Sequence, residues 1–263
     1  MNKNNLIKGA FSMTKFKHIQ FPIHSALALV LLAASQSAFS HTRLEVPVVV
    51  EGVRASNNVV IGHSCGDGAT TIANSTVFPD GVDSTVKVDG VQTTNVVTDF
   101  VANWGNLNQK VLDHSVFPFE DEKNDPDGNV VGFWVKGGKM PNHYNAYIPF
   151  RAGAAIIEPE SCATSVKFNI AVADICKITN IAGFAEGKLN LWTPAVGSAY
   201  DGTAGVGGYD SPATLTYTRN LETNPLPAAC NDVGVSVEVN PSAAQLNRDM
   251  PIIHNGKQIW PRP

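Results

Sequence analysis

Val166-Lys-Phe-Asn-Ile-Ala-Val-Ala173 decides the fold class, because apolar side chains occupy every second position from Val166 to Ile170. That period sends alternate residues to opposite faces of a β-strand. Similar short runs rich in Val, Ile, Thr and aromatics lie outward from it: Leu44 to Val50, Asn58 to Ile61, Thr70 to Phe78, Ser84 to Val88, Val130 to Val135, Ala146 to Phe150, Leu189 to Trp192, Ala213 to Thr218 and Val233 to Val239. Turn-forming clusters separate them, including Pro79-Asp80-Gly81, Asp89-Gly90, Asp125-Pro126-Asp127-Gly128-Asn129 and Gly137-Gly138, and no helical period persists over eleven residues. The pattern predicts an all-β, immunoglobulin-like β-sandwich with long loops.

The glycine-rich stretch from Thr193 to Pro212 has no following helix and no Gly-Lys-Ser/Thr ending, so it reads as a long inter-strand loop rather than a phosphate cradle. The polar segment 241–263, with Trp260 near its end, is expected to lie against the sandwich or hang loose.

Lys3, Lys8, Lys15 and Lys17 precede the apolar run Ala26 to Ala34 and the small-residue pattern Ala38-Phe39-Ser40. This is the layout of a secretory signal peptide over 1–40. Its apolar core is about half the ~18 residues that a membrane span requires. With the leader removed, fifteen Lys and Arg stand against twenty-three Asp and Glu, net −8. A domain that acidic, without a basic run, is a poor partner for nucleic acid. The exported product, expected in the periplasm, at the cell surface or secreted, has no later segment apolar enough to span a bilayer.

All four cysteines, Cys65, Cys162, Cys176 and Cys230, lie in the exported part, where oxidising conditions favour two disulfides. None has Cys-x-x-Cys spacing, and the three possible pairings stay open at this level. Five histidines remain after processing: His41, His63, His114, His143 and His254. His41 would begin the mature chain and offer an α-amine and an imidazole on one tether, a chelate suited to Cu(II). The acidic stretch Glu120 to Asn129 lacks the closing Glu of an EF-hand and reads as a solvated hairpin loop. There is no Gly-x-Ser-x-Gly elbow and no His-Glu-x-x-His helix, so binding is favoured over turnover.

The stretches His41-Thr-Arg-Leu-Glu-Val-Pro47, Val60-Ile-Gly-His63-Ser-Cys65, Phe78-Pro-Asp-Gly81-Val82, Trp134-Val-Lys-Gly137-Gly138-Lys-Met-Pro141-Asn-His143-Tyr144 and Glu158-Pro-Glu-Ser-Cys162 resemble the YcnI-like exported copper-binding domains. They are also similar to the methanotroph copper-repressible surface proteins of the CorA and MopE type, which bind copper through histidines near an oxidised tryptophan. The first resemblance implies copper ligation by the terminal His41, with His143 where the family carries an acidic ligand, an exchange that favours Cu(I). The second implies a pair of non-terminal histidines, His63 with His114. The His41–His143 pairing is preferred, with His63 or His114 as a third ligand or supporting contact. Trp134, chosen over Trp104, is expected to screen the ion. The first resemblance further implies the disulfides Cys65–Cys162 and Cys176–Cys230.

The combined reading is a copper-binding sandwich domain over 41–240 followed by a tail over 241–263. It would bind one copper, Cu(I) or Cu(II), for acquisition, storage or handover to an exported redox or copper-transfer protein. The alternatives are a copper-dependent oxidase of the polysaccharide monooxygenase kind and a metal-free adhesion or structural sandwich.

Overall fold

In the computed structural model, residues 41–193, 197–201 and 211–263 are described. The segment 1–40, expected from the sequence to be a leader, and most of the glycine-rich loop (194–196 and 202–210) lie outside them. The strands are β1 (Arg43–Leu44), β2 (Val48–Val50), β3 (Ala55–Ile61), β4 (Thr70–Val77), β5 (Thr85–Val88), β6 (Val91–Gln92), β7 (Asn108–Lys110), β8 (Phe119–Asn124), β9 (Val130–Pro141), β10 (Ala146–Ala152), β11 (Ala163–Ile175), β12 (Leu189–Trp192), β13 (Ala213–Thr218), β14 (Val235–Asn240), β15 (Ile252–His254) and β16 (Lys257–Trp260). One short helix, α1 (Ala243–Asp249), is capped by the Ser242 side chain, which accepts from the Gln245 amide, satisfying one of the donors a helix start leaves open.

A four-stranded sheet runs β1-β3-β10-β7, and a larger one runs β6-β5-β14-β11-β4-β9-β8. β11 joins the halves of the larger sheet. Its first part pairs with β13 and β14, and its second part with β12 and β4. The alternation legible in Val166 to Ile170 continues to the end of the strand at Ile175, whereas at its start the register shifts between Ala163 and Ser165. Val166, Phe168, Ile170 and Val172 face the core shared with Val59, Ile61, Ile148 and Phe150 of the smaller sheet. Ala171, Ala173 and Ile175 face a second core, closed by Leu246, Met250, Ile252 and Trp260. The result is a β-sandwich with long loops and two disulfides, and the C-terminal segment lies against its outer face rather than hanging loose.

The first run, Leu44 to Val50, is broken into β1 and β2, which pair with different strands, β3 and β13. Five strands escape the sequence pattern: β6, β7, β8, β15 and β16. β7 reads Asn-Gln-Lys and β8 reads Phe-Glu-Asp-Glu-Lys-Asn. Both are edge strands whose polar side chains show no apolar alternation. The acidic loop expectation is therefore corrected: Glu120 to Asn124 belongs to a strand, and the turn is confined to 125–129, where Asp125 Oδ1 accepts from the amides of Asp127 and Asn129 at 2.9 and 2.8 Å.

The disulfide pairing is also corrected. Cys65 bonds Cys176, and Cys162 bonds Cys230. Cys162 immediately precedes β11 and Cys176 immediately follows it. Thirteen extended residues separate these ends by about 40 Å, so the loop carrying Cys65, which lies at the far end of β11, reaches Cys176 alone.

Candidate functional site

β1 runs antiparallel to β3 with Arg43 opposite Val60 and Leu44 opposite Val59. Carried two residues toward the N-terminus, that register sets His41 opposite Gly62, next to His63. Both histidines meet one indole, Trp192. The His41 ring lies 4.7 Å from it at 57°, and the His63 ring 6.5 Å away, edge-on at 85°. Trp192 is the last residue of β12, opposite Val172 of β11, and is almost fully buried.

The inward row of β11 that reads Val166, Phe168, Ile170, Val172 ends on Asp174, a carboxylate 1% exposed. Three side chains donate to it. Trp192 Nε1 reaches Oδ2 at 2.9 Å, Thr42 Oγ1 donates to the same oxygen, and Asn74 Nδ2 reaches Oδ1 at 2.8 Å. Asn74 is itself fixed by Thr76, whose hydroxyl donates to its Oδ1 at 2.8 Å. Burial raises the Asp174 pKa above the ordinary carboxylate value, opposed by the donors from Thr42, Trp192 and Asn74 and by the nearby His63 charge.

His63 Nδ1 lies within hydrogen-bond distance of the Ser64 carbonyl. A carbonyl only accepts, so Nδ1 carries the proton in the neutral ring and Nε2 carries the lone pair. The loop is held twice more: the Cys65–Cys176 disulfide fastens it to the end of β11, and the Ser64 amide donates to Asn142 Oδ1 at 3.1 Å. His41, Thr42, Arg43, Leu44 and Pro47, together with 211–214, line an open cleft of about 320 Å³.

No family model, curated protein or solved structure matches the chain.

His143 sits exposed in the turn between β9 and β10. The neighbouring Asn142 touches the His63 loop, but among the described residues no ring contact joins His143 to His41. His114 is exposed and its Nε2 lies 3.3 Å from Glu120 Oε1; that carboxylate is also paired with Lys110 in a nearly buried bridge between β7 and β8. Trp134, the screen expected from the sequence, belongs to the second core and packs edge-on against His254 at 5.4 Å. Its neighbours Phe133 and Val135 face the first core, so the strand period carries Trp134 to the other side of the sheet.

Four members of the cluster went unread in the sequence: Trp192, Asp174, Thr42 and Asn74. A signal existed for Asp174 alone, since the period of two running through Val166 to Val172 places the next inward residue at 174. Among the described residues no group of three or more His, Cys, Asp or Glu side chains could hold a metal. Side chains alone thus bring two imidazoles to Trp192.

Proposed function

We propose that the protein is an exported copper-binding protein for acquisition, storage or handover, and that its site is formed by His41 and His63, both of which meet Trp192. The observation carrying this reading is the contact of both imidazoles with one buried indole. The donor chemistry fits copper, which is well served by imidazole nitrogens. Every cysteine is committed to a disulfide, which leaves no thiolate to favour a zinc or iron–sulfur centre. If processing cuts after Ser40, the α-amine of His41 supplies the third nitrogen. Trp192 takes the screening role that the sequence assigned to Trp134, and the buried Asp174 behind it adds negative charge that favours a cation. Bound copper would be held reversibly by these nitrogens, as carriage requires.

The test is metal content and intact mass of protein exported by its own leader and purified without added metal. One copper per chain on a product beginning at His41, lost in His41→Ala and in His63→Ala and kept in Trp134→Phe, is the expected result. Copper lost only in His143→Ala or only in His114→Ala would move the site to those side chains. Absence of copper from the unaltered protein, including after reconstitution, would refute the reading.

A further inference from the structure

We infer that Asp174 is the positioning residue of the His41–His63 site, holding the start of the mature chain and the Trp192 indole together as one rigid wall. The inference rests on the proposed copper site for its consequence, though the clamp itself can be tested without metal.

A row of side chains that is apolar from Val166 through Val172 would be completed at least cost by another apolar residue. A carboxylate taken out of water is retained only with its oxygens fully employed. Asp174 meets that condition in a particular way, because each donor comes from a different part of the chain: Thr42 ahead of β1, Asn74 on β4 and Trp192 on β12. Thr42 and Trp192 converge on the same oxygen, Oδ2. That atom fixes the residue following His41 relative to the indole against which His41 packs. β1 pairs with β3 at Arg43 and Leu44, and the docking continues through Glu45 and Val46, whose amides donate to the Asn58 carbonyl and Asn57 Oδ1; Thr42 lies on the other side of that pairing, where its bond to Asp174 holds the chain next to His41.

An ionised carboxylate only accepts, and all three partners donate to it. An asparagine at this position keeps one oxygen for Trp192 and Thr42 and pairs its N–H with a flipped Asn74 amide, whose other partner, the Thr76 hydroxyl, accepts as well as donates, so it is not the variant that breaks the clamp. Asp174→Leu keeps the branched shape and removes every acceptor, while Thr42→Val removes one arm and leaves the carboxylate paired with the other two.

Two readouts on the mature protein test this. In the metal-free protein, the Trp192 indole N–H should be protected from solvent exchange, and the amides of Arg43 and Glu45, which face β3, protected with it. Asp174→Leu should expose all three, and Thr42→Val should expose the two amides and spare the indole. With copper as the probe, removing such a supporting hydrogen bond typically weakens metal affinity by about 10–100-fold. Asp174→Leu is expected in that range, and Thr42→Val should weaken affinity in the same direction by less. If both variants remain folded with exchange and affinity unchanged, Asp174 is only a buried core residue and the inference fails. Should Asp174→Leu not fold, Thr42→Val decides alone. If the unaltered protein binds no copper, the functional reading fails, and the exchange measurement still accepts or rejects the clamp.

Discussion

Lys123 stands on an edge strand with its side chain buried. Its Nζ donates to Ser75 Oγ at 2.9 Å and to the carbonyls of Met250 and Pro251 at 3.2 and 2.8 Å, and also to that of Asp249. These bonds fasten the turn after α1 to β4 and β8. Burial lowers its pKa from 10.5 to about 7, with the Asp249 charge opposing. Between those two values the unfolded chain holds a proton that the folded chain releases, so this group makes stability rise with pH from about 7 to 10.5 and contributes no slope below about 7. Urea unfolding at pH 7 and pH 9 should show the higher midpoint at pH 9, and Lys123→Met should remove that increment. An equal increment in the variant would assign the slope to other groups.

At the scale of elements, β11 organises the molecule, and the two disulfides sit at its opposite ends. The one at its start, Cys162–Cys230, lies beside Arg219, whose guanidinium donates to the carbonyls of Pro159 and Ser161 at 2.8 Å each and Pro225 at 2.9 Å. The one at its finish, Cys65–Cys176, is two residues from His63 and two from Asp174. Replacing either pair by serines should cost about 2–4 kcal/mol of stability. Only the loss of Cys65–Cys176 should also weaken copper retention, because it releases the His63 loop from the strand carrying Asp174. Calorimetry and copper titration of both double variants check this. Equal copper affinity in the two would separate the disulfide from the site.

For the whole molecule, the second core makes the C-terminal segment a third layer. Trp260 is fully buried and stacks on Phe184 at 5.4 Å and 14°, with Tyr200 at 5.9 Å. Trp260→Ala should cost about 3–5 kcal/mol and uncover apolar surface over β4, β9 and β11. A lower melting temperature with increased binding of a hydrophobic dye is the expected outcome. His41 and Trp192 belong to the other face of β11, so copper affinity should persist in the folded fraction. Loss of both together in a folded variant would show that the two faces are coupled.

The sequence by itself determined what is local. Alternation at Val166 to Ile170 and in the other runs announced strands, the Gly, Asp and Pro clusters announced turns, and the four cysteines announced two bridges. Polar edge strands such as Asn108–Lys110 stayed hidden because neither face has to be apolar. Tertiary structure decided which distant residues meet. It chose Cys176 over Cys162 for Cys65 because β11 holds those two about 40 Å apart. Trp192 replaced Trp134 beside the histidines because neighbouring strand residues point to opposite faces. Asp174 joined Thr42, 132 positions away, because the antiparallel pairing of β1 with β3 carries the residues ahead of β1 past the end of β11. Side-chain period is written in the sequence within a few residues, whereas such juxtapositions exist only once the sheets have paired.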